Sequence, residues 1–132
     1  MKAISLRAPW WWLVIYGGKD IENRSRGTSY RGPVLIHASS WWEPNEVKRT
    51  LDFCPASSFL MNGMPPIWLL RQRGAHVVGV VDLVDVVTES ASPWFRGRFG
   101  YVLENPRQLD PCPAAGRLGL FELATPRQLQ PI

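Results

Sequence analysis

At 132 residues with 45% hydrophobic side chains, the chain suits one domain around one core, and no apolar run is long enough to span a bilayer. The two cysteines, Cys54 and Cys112, sit in no C-x-x-C pair and have no paired histidines beside them, which argues against a zinc site and a disulfide framework and leaves two free thiols as the expectation. The net charge of +4 is unevenly placed: residues 1–31 hold Lys2, Arg7, Lys19, Arg24, Arg26 and Arg31 against Asp20 and Glu22, and the remainder balances its charges. An anionic partner such as a nucleic acid or nucleotide is one reading of that segment; a solvated basic face is the other.

Residues 2–7 alternate apolar and polar and predict a strand. Pro9 closes it and suits the first turn of a helix; residues 10–16, WWWLVIY, then predict a short buried helix ended by Gly17-Gly18. The apolar stretch has no basic n-region or small-residue cleavage site, so it is not read as a signal peptide, and a cytoplasmic location is the default expectation. A second strand is expected over 20–26, a turn over 30–33 and a core strand over 34–38. Residues 43–52 predict a helix with Pro44 in its first turn, residues 55–66 a loop, and residues 66–74 a short helix stopped by glycine. Valine-rich residues 75–87 carry the strongest strand signal, with Asp82 on the face of Val78, Val80, Val84 and Val86, and Asp85 on the other. Strands over 99–103 and 118–123 follow, and the tail from Pro126 is expected to be loose. The resulting class is α+β: a small closed or partly closed β-barrel with short helices packed on it, the valine strand central, as one domain over 1–125 with a tail at 126–132.

The densest functional element is Gly17-Gly18-Lys19-Asp20-Ile21-Glu22-Asn23-Arg24. A glycine turn precedes a lysine whose direction no strand period fixes. Glu22 and Arg24 are two apart on a strand and share a face. They form either a structural ion pair or a site in which Glu22 accepts from a base edge and Arg24 holds phosphate. Lys19 is a candidate phosphate or carbonyl contact, a candidate catalytic base or nucleophile, or a plain surface lysine. Asp82 among valines needs a partner; a cation of the signature strand is the natural one, and a strand-end aspartate facing water is the alternative. Trp10, Trp11 and Trp12 cannot all point inward from one short helix, so at least one is expected to line a cleft or the surface. Trp41, Trp42 and Trp94 are open to the same two readings. Ser5 and Ser39 are polar strand ends, and His37 reads as a core histidine before a base.

Residues 5–10 (SLRAPW), 18–24 (GKDIENR), 31–39 (RGPVLIHAS), 78–85 (VGVVDLVD) and 99–107 (FGYVLENPR) resemble, in order, the ASCH domain. The resemblance implies a PUA-like β-barrel with a cleft over the G-x-K-x-x-E-x-R element and an RNA, nucleotide or modified nucleoside in that cleft. Its expected contacts are Lys19, Glu22 and Arg24, flanked by Ser5, Trp10 and Arg26, with no cofactor and no metal. Related small ASCH proteins include ribonucleases and an amidohydrolase acting on N4-acetylcytidine, which is similar in having a catalytic lysine, a threonine three residues later and a glutamate on a later strand. Lys19 matches the lysine. Glu22 stands where that branch has threonine, and the later carboxylate falls near Asp82 or Asp85. A binding module is therefore the leading expectation, a hydrolase using Lys19 with Glu22 or Asp82 as proton carrier the alternative, and a protein-interaction module using exposed tryptophans a third.

Overall fold

The computed structural model describes residues 1–41, 43, 45 and 63–131. The helix expected over 43–52 (residues 43 and 45 aside), Trp42, Cys54 and the loop up to residue 62 lie outside the described residues.

The described elements are β1 (Lys2–Leu6), α1 (Trp10–Tyr16), β2 (Ile21–Arg24), β3 (Gly32–Ala38), α2 (Ile67–Leu70), β4 (His76–Val87), β5 (Phe99–Pro113) and β6 (Leu120–Glu122). The strands form one sheet in the order β2-β5-β4-β3-β1-β6, with β1 and β3 parallel and the other neighbours antiparallel. The sheet curls into a half-barrel, which is the PUA-like α+β fold expected. The curl is visible in one contact. β2 ends the strand order on one side and β1 lies near its other end, yet the Arg24 guanidinium (Nη2) donates to the Ser5 carbonyl at 3.4 Å. Side chains, rather than a ladder, bridge the seam where a closed barrel would pair.

Strand alternation sorts the core into two clusters. Ile4, Ile36, Val78, Val81 and Leu83 pack with the buried face of α1, Trp11 to Ile15. Ala3, Leu35, Val77, Val80, Leu109 and Phe121 form the other cluster. The helix has no β-branched run until Val14-Ile15, and burial of five consecutive residues fixes it despite its length.

β4 lies centrally between β3 and β5, as the valine pattern predicts, but its alternation is interrupted. Register shifts against β5 between Val77/Gly79, Val80/Asp82 and Leu83/Asp85 put Val78 and Val80 in different clusters, correcting the expectation that they share a face. β5 runs ten residues past the Leu103 end expected for it. β2 covers it only as far as Val102, so Pro106, Pro111 and Pro113 sit where no neighbour on that side needs their missing N–H. The predicted 66–74 helix is a single α-turn followed by a 3-10 turn, Arg71–Arg73. The last strand is shorter than expected, because Gly119 adopts φ +68 and Leu118 projects fully into solvent. The tail is docked rather than loose: Gln128 exchanges two hydrogen bonds with the Asp110 backbone at 2.9 and 3.2 Å, and Leu129 packs on the second cluster.

Among the described residues no helix is long and apolar enough to cross a membrane, and no group of His, Cys, Asp and Glu side chains is arranged to hold a metal. Cys112 is a free thiol.

Candidate functional site

The signature element begins at the C-terminus of α1. The Leu13 carbonyl accepts from both Gly17 N, at 2.9 Å, and Lys19 N, at 3.0 Å. A Cβ on Gly17 would stand 2.8 Å from the Leu13 side chain, and Gly18 adopts φ +74, so two glycines make this tight reversal. The turn aims Lys19 inward. Only 3% exposed, it lines a separate small cavity of about 90 Å³ with Val14, Val81 and Leu103. Its ammonium donates to the Ile21 carbonyl and to Glu22 Oε1 at 3.1 Å, and lies 5.5 Å from the Trp10 ring centroid.

Glu22 and Arg24 share a face of β2, as their spacing predicts, and both line the main cleft. Glu22 is clasped on both oxygens, by Lys19 from behind and by Arg24 Nε at 3.0 Å. Arg24 in turn reaches Ser5 on β1, so one chain of charges runs from the buried lysine to the open seam. Asn23 anchors the opposite loop: its amide donates to the Trp94 carbonyl at 2.9 Å, and its Oδ1 accepts from Arg96 N at 2.8 Å.

The main cleft occupies the seam and encloses about 630 Å³. β1 contributes Ser5, β2 contributes Glu22 and Arg24, β3 contributes His37, and residues 116–119 close one side. Among the described residues, Arg7, Arg24 and Arg117 line it against the single carboxylate of Glu22. Two indoles, Trp10 and the half-exposed Trp41, complete the wall, and the Arg7 guanidinium stacks 3.8 Å over the Trp41 ring.

At the cleft's inner end, Ser5 and His37 are register partners of β1 and β3. Ser5 Oγ lies 2.8 Å from His37 Nδ1, and His37 Nε2 lies 2.7 Å from the Ala114 carbonyl. The ring is 1% exposed. Burial holds its pKa below the usual histidine value, only partly offset by the Ala114 hydrogen bond, and His76 pushes the same way as burial.

Ser5, Trp10, Glu22 and Arg24 therefore line one cleft. Lys19 does not join them at the cleft wall; it supports Glu22 from behind. Arg26 is exposed and lies off the cleft, its carbonyl accepting from the Tyr101 hydroxyl at 2.8 Å. Asp82 is not partnered by the signature strand. It pairs with Arg107 at 2.7 Å and accepts from Asn105 at 3.3 Å, both on the stretch of β5 that sequence reading left out. Its neighbour on β3 is Pro33, four residues or ~13 Å along the strand from His37. Asp85 is exposed and meets Arg31 at 3.8 Å. Arg117 and Gly116 carried no sequence signal, since a loop's approach to a cleft leaves no periodicity. His37 is the satisfied core histidine expected, and it lines the cleft as well.

The family model for the ASCH domain matches residues 4–101, from β1 into β5. The chain belongs to the ASCH domain family, which is linked to RNA binding. No curated protein matches it in sequence.

Proposed function

We propose that the seam cleft binds RNA or a nucleotide, with a modified nucleoside as its smallest ligand. The observation that carries this reading is the composition of the cleft wall: among the described residues, three arginines and two indoles around a single, already clasped carboxylate. Arginine forks onto phosphate, an indole offers a face for a base, and a cleft of this volume holds a nucleotide-sized ligand. Phosphate contacts give affinity, and the polar inner end, Ser5 and Glu22, gives the means to read a base.

Binding is favoured over hydrolysis by the state of Lys19. The related hydrolases depend on a lysine at this position, and here its ammonium is buried against Glu22 and a backbone carbonyl. Such a lysine holds the wall in shape.

The test is fluorescence anisotropy with a short labelled single-stranded RNA across a salt series. Arg24→Ala and Arg117→Ala weaken binding, and each lowers the slope of log affinity against log salt by about 0.7 if one phosphate contact is lost. Arg26→Ala and Arg107→Ala, off the cleft, leave both unchanged. Unaltered affinity in both cleft variants overturns the placement of the site.

A further inference from the structure

Three groups at the inner end of the cleft fix one another's hydrogens. The Ala114 carbonyl can only accept, so the proton of the neutral His37 ring is on Nε2. Nδ1 is then a bare lone pair, and the Ser5 hydroxyl beside it at 2.8 Å must donate. A serine hydroxyl has one hydrogen and two lone pairs, so Ser5 has no hydrogen left for a ligand and can only accept from one. The strap at 114–116 locks the arrangement. A Cβ on Gly116 would lie 2.7 Å from His37 Cε1 and 3.0 Å from both Nδ1 and Ser5 Oγ, so the backbone rests directly on the pair. This strap lies beyond residues 4–101, which match the family model and contain Ser5 and His37.

The charged group that touches Ser5 is the Arg24 guanidinium, with its Nη2 engaged by the Ser5 carbonyl and its Nε by Glu22. Glu22 is acceptor-only, and the Arg24 guanidinium that holds it also touches the Ser5 backbone, tying the two acceptors to one side of the cleft. Cations ring the cleft, and its inner end presents acceptors. A ligand that places a carbonyl oxygen there leaves lone pairs facing lone pairs; one that places an N–H there completes the hydrogen bond.

We infer that Ser5 is a fixed acceptor that selects nucleotides whose base offers an N–H donor to the inner end of the cleft, and that His37 is the positioning residue that fixes it. The inference rests on the nucleotide-binding reading and deepens it by naming the base edge that is read. A uracil or a cytosine qualifies through its ring or exocyclic N–H, and a base with every N–H methylated does not.

The experiment is isothermal titration calorimetry with four probes: UMP, CMP, 3-methyluridine monophosphate and N4,N4-dimethylcytidine monophosphate. The parents bind about tenfold or more tightly than their methylated partners, the cost of a buried acceptor left unpaired. Ser5→Ala lowers the parents to the level of the methylated probes and leaves the latter alone. His37→Leu does the same to the ratio, and His37→Asn, whose side-chain oxygen can accept from Ser5, restores it. Nitrogen NMR of the His37 ring in the intact protein, which needs no variant, reports the proton on Nε2. A ratio that survives Ser5→Ala assigns the selectivity to methyl bulk and overturns the inference, as does a proton on Nδ1. Parents and methylated probes bound equally overturn it while the nucleotide reading stands. Failure of all four to bind removes the ligand class and the inference together.

Discussion

Two carboxylates of this chain carry the same chemistry in the sequence and do different work in the fold. Glu22, with its side chain 12% exposed, is gripped by a buried lysine and a cleft arginine at the seam. Asp82, 34% exposed, is held by Arg107 and Asn105 across the β4–β5 pairing. Both are acid–arginine pairs, and a motif scan weights them alike. What separates them is the ladder: Asp82 sits on β4, which pairs with β3 on one side and β5 on the other, whereas Glu22 sits on β2, where the half-barrel stops pairing and leaves room. Of the two ion pairs, the one at the open seam lines a cleft that can enclose a ligand, and the other, though more exposed, does not.

The contrast breaks most sharply at Lys19. Lys19→Ala removes a 2%-exposed partner from Glu22 and leaves both a cavity and an under-paired carboxylate, so it costs roughly 3 kcal/mol in chemical denaturation. Asp82→Ala, at a solvated pair, costs under about 1 kcal/mol by the same measurement. Equal losses would show that the seam is no more demanding than the β4–β5 pairing. RNA affinity of the Lys19 variant, scored per folded molecule, falls only as far as Glu22 and Arg24 are displaced.

Next in size is Gly116→Ala. The added methyl meets a ring anchored at both nitrogens, and the strap must lift to make room. The expected loss is about 1–3 kcal/mol, with looser binding of any nucleotide that touches Ser5. Unchanged stability would mean the strap moves freely and does not lock the Ser5–His37 pair.

Much of the seam was legible in residue order. The α1 bounds at 10–16 follow from the aromatic run and the two glycines, and the shared face of Glu22 and Arg24 follows from a two-residue period. The direction of Lys19 was not legible, because it depends on how the helix end folds back on the Leu13 carbonyl, a geometry with no period. The partner of Asp82 was hidden for a different reason. Asn105-Pro106 reads as a strand terminator, yet Asn105 takes φ 53 and the strand continues to Pro113 along an edge that tolerates proline, carrying Arg107 to Asp82. Ala114, in turn, acts through a backbone carbonyl that any residue type supplies, and Gly116 through the lack of a Cβ, whose consequence depends on what the fold packs against it.

The smallest expected effect is a pH dependence at the seam. His37 is buried and neutral, with a pKa held below the 6.5 of an unfolded chain by burial first and by His76 in the same direction. The unfolded chain therefore binds more protons in the interval between the two values, and stability must fall with falling pH there. The contribution is intact above about pH 6.5, declines as the pH drops toward the folded value, and changes no further below it. Thermal unfolding of the wild type and His37→Asn between about pH 7.5 and 5 isolates this contribution, since the variant differs only in lacking the His37 imidazole. The wild type loses more stability than the variant over the interval; parallel curves would detach the pH response from His37. The site explains why the effect is tied to the cleft. A proton on Nδ1 would turn the Ser5 hydrogen away from the ring and toward the ligand, so the acceptor at Ser5 is lost as the folded ring titrates, at the lower end of the interval over which stability falls.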